Sequence, residues 1–266
     1  MHVRTLTAAT ALALSLAGTA ALAPVGAAPA AHPAPHRTPH KAGVFTVTAS
    51  VDETAPLVGD KVTIKGKVRP AVPGAQVNLQ VKYDGRKGWK TIGHDRLNGA
   101  GKFRFEDKVG SVRERRYRVV KPAGGHRAAG QAKTEKVTVF GWRDLTSLAP
   151  ATTPSMYELD AVINGVAYPR SLRATTAAAS SVDYNLNRDC TAFRGTAGLD
   201  DSSPSTGSAV VAVTADGVQK YSGTFALAQS APVTIDTTGV FRLTVSAAAT
   251  NGGLGAVGTP QVLCSF

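Results

Sequence analysis

The chain is short of the groups that most catalytic and metal centres require. Only two cysteines occur in 266 residues, Cys190 and Cys264, and all six histidines lie at or before His126. The second half therefore offers no imidazole for a Ser-His-Asp triad, a Cys-His pair or a histidine zinc site. No Gly-x-Ser-x-Gly elbow, glycine-rich phosphate loop or zinc-type Cys/His spacing is present. Carboxylates are also sparse: 18 Asp and Glu stand against 30 Lys and Arg, a net charge of +12. From residue 141 onwards there are only Glu158 and eight aspartates, mostly in turn contexts. No long segment after residue 44 repeats its apolar residues with a 3.6-residue period, so few helices are expected.

The first 43 residues have the composition of a targeting segment. Met1-His-Val-Arg4 is basic, residues 6–23 are uncharged and rich in Ala and Leu, and Val25-Gly-Ala-Ala-Pro-Ala-Ala31 offers small residues for cleavage. This is the order of a secretory signal peptide, expected at 1–31, with a membrane anchor as the alternative. A Pro-rich basic linker is expected at 32–43; its prolines oppose a helical alignment of His32, His36 and His40. The expected mature protein is secreted, extracellular or associated with the cell wall, with no transmembrane anchor. In an oxidising compartment the two cysteines are expected to form a Cys190–Cys264 disulfide rather than a metal pair or a reactive thiol. Closing so long a loop would stabilise by about 4 kcal/mol in the chain-entropy model.

What is present is a succession of short alternating runs. Residues 44–51, 61–68, 76–83, 89–92, 101–106, 114–120 and 133–139 read as seven strands separated by Gly, Pro and Asp, the spacing of a β-sandwich. Val58-Gly-Asp-Lys-Val-Thr-Ile-Lys-Gly66 and the Gly-x-Phe-x-Phe of Gly101 to Phe105 make residues 44–140 resemble bacterial immunoglobulin-like domains. This region carries 20 Lys and Arg against 9 Asp and Glu, whereas residues 141–266 carry 7 against 9. Lys61, Lys65, Lys67, Lys102 and Arg104 alternate with apolar residues and should point outward; Arg113, Arg115, Arg116 and Arg118 form a dense cluster. Such a field attracts polyanions. An anionic wall polymer is the expected partner; a solvated face that protects sheet edges is the alternative. Nucleic acid is not expected, because Trp89 and Tyr117 stand alone rather than in a stacking series.

The second half contains further strand-like runs with sharp punctuation. Asn164-Gly165 and Asp216-Gly217 are two-residue hairpin signals, and strands are expected at 157–162, 166–168, 182–186, 191–198, 209–215, 218–224, 233–236, 241–245 and 261–266. An ordered series runs through this region: Trp142-x-Asp-Leu145, Ile163-Asn-Gly-Val-Ala-Tyr168, Ser171-Leu172, Val182-x-Tyr-x-Leu186, Phe193-x-Gly-x-Ala-Gly-Leu-Asp-Asp201, Val211-x-Val-x-x-Asp-Gly217, Tyr221-Ser222 and Thr238-Gly-Val-x-x-Leu-x-Val245. Together these make residues 141–266 resemble the NPCBM family of carbohydrate-binding modules. That resemblance implies a galactose-binding-like jelly-roll sandwich and a non-catalytic, glycan-binding role.

Two departures bear on the binding face. Arg173 stands where sugar-binding members carry a histidine, and residues 251–260 lack the acidic residue and tryptophan expected near the last strand. The expected architecture is all-β, with an immunoglobulin-like sandwich at 44–140 and an NPCBM-like sandwich at 141–266. Tyr168, Arg173 and Arg194, with Asp200 and Asp201, are the candidate ligand contacts. No catalytic residue and no metal or cofactor is expected, Ca²⁺ at the paired aspartates being the weak exception. A scaffold that has lost its sugar site is the first alternative. A hydrolase using Asp183 and Asp201 is the second, and it would need those carboxylates to converge within ~5–10 Å.

Overall fold

The alternation of apolar and polar residues becomes a pair of stacked-sheet sandwiches. The computed structural model describes residues 43–176 and 178–266; the expected signal peptide and all but the last residue of the linker lie outside these. In the first sandwich the strands are β1 (Thr46–Val51), β2 (Lys61–Arg69), β3 (Gln76–Tyr83), β4 (Lys90–Arg96), β5 (Lys102–Lys108), β6 (Arg115–Lys121) and β7 (Gly130–Val137). A three-stranded sheet β1-β2-β5 faces a four-stranded sheet β4-β3-β6-β7. Between them Val62, Ile64, Val81, Tyr117 and Val119 are fully enclosed, each apolar side chain taking the inward position of a two-residue period. Tyr117 brings a hydroxyl into this core and donates it to Asp107 Oδ2 at 2.6 Å. Burial and that carboxylate acceptor push its pKa far above the usual phenol value.

In the second sandwich the strands are β8 (Gly141–Asp144), β9 (Met156–Ile163), β10 (Val166–Ala174), β11 (Ser180–Asn185), β12 (Cys190–Leu199), β13 (Ser208–Ala215), β14 (Val218–Ala226), β15 (Ser230–Asp236), β16 (Arg242–Thr250) and β17 (Gly255–Cys264). One sheet runs β15-β12-β17-β10-β9, with β8 also paired to β17; the other runs β11-β16-β13-β14. Leu172, Phe193, Leu199, Val211, Val213, Leu243 and Val245 fill the space between them. The two sandwiches keep separate cores, although both lie within one compact unit. At the junction β8 begins so close to the first sandwich that a Cβ on Gly141 would lie 2.7 Å from Val112 Cγ1.

The disulfide expected from sequence is present, joining Cys190 of β12 to Cys264 of β17. The two residues are register partners on adjacent strands and both are buried, so the bridge fixes the end of the chain to the middle of its own sheet. Both hairpin signals form turns with two left-handed residues: Asn164 and Gly165 at φ 49° and 73°, Asp216 and Gly217 at φ 47° and 80°. That pair of positive φ values matches the twist of the strands they join.

Several strands run further than the sequence indicates: β4 continues to Arg96 and β16 to Thr250, and the largest differences are in β10 and β17. Pro169 suggests that the strand after Asn164-Gly165 ends at Tyr168, yet β10 continues to Ala174. The proline is absorbed by a register shift between Tyr168 and Ser171, where Arg170 takes φ 52°; a bulge tolerates the missing N–H. Likewise β17 begins at Gly255 rather than Gln261. The Gly- and Ala-rich stretch lacking aromatics is a buried central strand between β12 and β10.

Candidate functional site

The outer face of the six-stranded sheet carries most of the candidate residues, and a single bulge brings two of them together. Ile163 pairs with Val166 and Ala161 with Tyr168 next to the hairpin turn, but beyond the bulge Arg173 pairs with Tyr157. Directly opposed residues share a face, and Tyr157 and Ala161 share one because they are four apart on the same strand. Tyr168 and Arg173 are therefore on one face, although five residues apart; an unbroken strand would have placed them on opposite faces.

Arg173 is the centre of this face. Its Nη1 lies 3.3 Å from Asp200 Oδ1, and Asp200 is almost wholly enclosed while the arginine side chain remains a quarter exposed. Asp200 also accepts the N–H of Ser202 at 3.1 Å, the N–H of Val162 at 3.2 Å and the Ser202 hydroxyl. Burial alone would raise the Asp200 pKa, but the Ser202 hydroxyl and N–H, the Arg173 charge and the Val162 N–H hold it below the usual carboxylate value. The Arg173 Nε is buried without a hydrogen-bond partner. Beside it Tyr157 leaves an aromatic ring 45% exposed. The pair Arg173 and Tyr157 is thus a fixed cationic donor next to an apolar ring face, chemistry suited to a sugar's hydroxyls and C–H surface.

The other candidates are engaged structurally. Asp201 caps the Asn164-Gly165 turn, accepting the two N–H groups at 3.0 Å and 2.8 Å. Tyr168 lies over Gly258 of β17; a Cβ there would sit 2.5 Å from the ring. Its ring packs against Ala161, Ile163 and Ala256, a small cluster on the outer face. Arg194 is further along the same sheet, where its guanidinium covers the Trp142 ring at 3.9 Å. Its Nε and Nη2 donate to Gln261 Oε1 at 2.9 Å and 2.7 Å. Gln261 in turn donates to Asp144 at 3.2 Å, and Asp144 pairs with Arg170 at 2.9 Å, which also meets Glu158 at 3.0 Å. This chain of polar contacts ties β8, β9, β10, β12 and β17 together and occupies the one tryptophan of the sandwich.

Sequence reasoning missed Tyr157 and Arg170. Tyr157 is visible only once the bulge is known, because the Asn164-Gly165 turn by itself pairs it with Leu172. Arg170 follows a proline in what reads as a loop, and nothing local marks it as the link between two carboxylates. Asp183 is on β11 in the opposite sheet, accepting hydroxyls from Thr152 and Thr244, whereas Asp201 is in the turn after β12 and is spent on the Asn164-Gly165 hairpin. Among the described residues no cluster of three metal-ligating side chains occurs, and no helix is long and apolar enough to cross a membrane.

Comparison with known proteins agrees with the motif series. Residues 153–256 match the model of the NPCBM/NEW2 domain. Among solved structures, CBM51 from Clostridium perfringens GH95 in complex with methyl-galactose is similar at 17% identity and a TM-score of 0.38, over 46% of this chain and 99% of that one. No curated protein matches the chain.

Proposed function

We propose that this is an exported, non-catalytic carbohydrate-binding protein whose binding module is the second sandwich, with Arg173 and Tyr157 at the contact surface. The observation that carries the reading is the NPCBM/NEW2 match over residues 153–256, which spans both Tyr157 and Arg173. Within it, the buried Asp200 holds an arginine at the surface beside an exposed aromatic ring. In this reading Arg173 donates to ring hydroxyls from the edge not committed to Asp200, and Tyr157 receives the apolar face of the sugar. Asp200 positions the arginine rather than touching the ligand. Export is supported by the disulfide, a bond that persists in oxidising compartments.

The test is a glycan array probed with the whole chain and with Tyr157→Ala, an exposed position whose loss leaves the core intact. Retention on one glycan class, weakened at least tenfold by Tyr157→Ala, supports the proposal. Equal retention by the two proteins removes Tyr157 from the site, and no retention on any glycan overturns the binding role. A second reading, a scaffold that has kept the fold without the sugar site, is favoured by one observation: Tyr168 and Trp142 are both covered, by Gly258 and Arg194. The same array separates the two.

A further inference from the structure

The first sandwich holds a cleft that the carbohydrate module does not explain. It opens on the outer face of the β4-β3-β6-β7 sheet, with a volume of about 290 Å³, and its lining includes Lys82, Trp89, Arg116, Lys133 and Lys136. Lys82, Arg116 and Lys136 are register partners across β3, β6 and β7. Three cations thus stand in one row, an arrangement that destabilises a sheet unless something neutralises it. Lys136 has such a partner in Glu114, at 2.6 Å. Lys82, Arg116 and Lys133 form no ion pair among the described residues.

The next row adds a fixed guanidinium. Arg118 donates through Nε to Gln80 Oε1 at 2.9 Å and through Nη1 to Gln131 Oε1 at 3.1 Å. Its planar group lies 4.4 Å from the centre of the Trp89 ring. All these partners are neutral, so they orient the charge without cancelling it. The buried Arg115 is different: it is spent on the Ser111 carbonyl at 2.7 Å and lies 3.9 Å from Asp107.

We propose that this cleft is a second ligand site, for a polysaccharide that bears a carboxylate on its sugar rings. The charge pattern favours a sugar polymer over nucleic acid. Asp84 and Glu114 also line the cleft; as acceptors they suit the hydroxyls that every ring of such a polysaccharide carries and that a DNA backbone lacks. Trp89 is the one tryptophan there and one of its faces is already taken by Arg118, whereas single-stranded nucleic acid is held by successive stacking rings. The site is independent of the Arg173 surface, since it lies in the other sandwich and shares no residue with it.

The experiment titrates the whole chain with polygalacturonate and with its fully methyl-esterified form, which keeps the backbone and removes the charge. The cleft variant Lys82→Gln/Arg116→Gln/Lys133→Gln is compared with Lys65→Gln/Lys102→Gln/Lys108→Gln, which removes three cations from the opposite sheet. Expected are measurable binding of the polyuronate, at least tenfold weaker binding after esterification and in the cleft variant, and less than threefold loss in the other variant. Polyuronate binding lost in Tyr157→Ala but kept in the cleft variant would place the ligand at the Arg173 surface and overturn the proposal, which separates failure of this site from failure of the module. Absence of polyuronate binding, or equal losses in both triple variants, overturns the proposal; the latter would indicate a diffuse field. Tighter binding of single-stranded DNA, lost with the cleft residues, would overturn it in favour of a nucleic-acid face. Unchanged thermal unfolding of both triple variants establishes that the readout is binding.

Discussion

The two sandwiches handle charge differently. In the second, most arginines have a partner within the fold. Arg173 has Asp200, Arg170 has Asp144 and Glu158, Arg194 has Gln261 and the Trp142 ring, and Arg143 lies over Phe266. In the first, Lys61, Arg104, Arg115 and Lys136 also have carboxylate neighbours, yet across the strands cations oppose cations. Lys65 pairs with Arg104, Lys67 with Lys102 and Lys61 with Lys108 on one sheet, while Lys82 pairs with Arg116 on the other. The second sandwich spends its charge on holding a twisted sheet and a bent hairpin in place. The first carries its charge outward at some cost to stability, which makes sense where the charge serves an encounter with a partner. Fold quality does not distinguish them, since each encloses a continuous core.

The contrast can be tested most strongly at the disulfide, which only the second sandwich possesses. Each sandwich contains one of the two tryptophans, Trp89 or Trp142, so Trp89→Phe and Trp142→Phe backgrounds report the two halves separately. Replacing both Cys190 and Cys264 with Ala should lower the stability seen by Trp142 by about 4 kcal/mol in denaturant titrations. The transition seen by Trp89 should move by far less. Equal shifts would mean that the halves unfold as one cooperative unit.

A smaller effect is expected from Arg173→Met, which leaves the Asp200 carboxylate buried without its cation. The cost at pH 7 should be about 3 kcal/mol. Its pH dependence follows from the direction of the shift. Asp200 sits below its ordinary value of 3.8 in the folded protein, so its contribution is present above that pH and is lost as the pH falls through the lower folded value. Without Arg173 the folded pKa rises, so the deficit relative to wild type should be full near neutrality, shrink as the pH falls through the variant's raised folded pKa, and vanish below the wild-type one. A deficit independent of pH would show that Arg173 acts through packing.

These outcomes bear on how much the sequence reveals. Strand positions in the first sandwich are legible to within about four residues, because Val77, Leu79 and Val81 or Phe103 and Phe105 alternate without interruption and Gly, Pro or Asp separates most of the runs. The disulfide is legible from the cysteine count and the export expected from the first residues of the sequence. The proposed binding face is not. Its register depends on one extra residue at Pro169-Arg170, and proline there reads as a strand end rather than as a bulge within a longer strand. The stretch lacking aromatics at 251–260 reads as a missing wall of the site, whereas most of it is a central strand whose Gly258 makes room for Tyr168. Asp201 illustrates a third limit: a carboxylate beside another carboxylate looks like chemistry, and only the two N–H groups of Asn164 and Gly165 reveal it as a cap.

That cap sets the scale of the next test. Asp201→Ala removes the acceptor for two turn N–H groups, which then face water at an exposed hairpin. A loss of about 1–2 kcal/mol is expected. In the proposed binding role, where the hairpin acts only through Asp200 and Arg173, glycan retention should change less than threefold.

The smallest expected effect reverses the sign, and it sharpens the contrast most directly. Lys65 faces Arg104 across β2 and β5, with Ser50 on its other side. Arg104 already reaches Glu106 at 3.4 Å, and all three charged side chains are exposed. Lys65→Glu converts a like-charge pair into an attractive one and should stabilise the first sandwich by about 0.3 kcal/mol at low salt. The gain should fade in 1 M salt, where the Debye length is ~3 Å, and it should be seen in the Trp89 transition alone. A reversal in the second sandwich, Arg194→Glu, should do the opposite, because it brings a carboxylate to Gln261 and uncovers Trp142. If Lys65→Glu instead destabilises, the cations of the first sandwich are held apart well enough not to repel, and the cost assigned to its outward charge disappears.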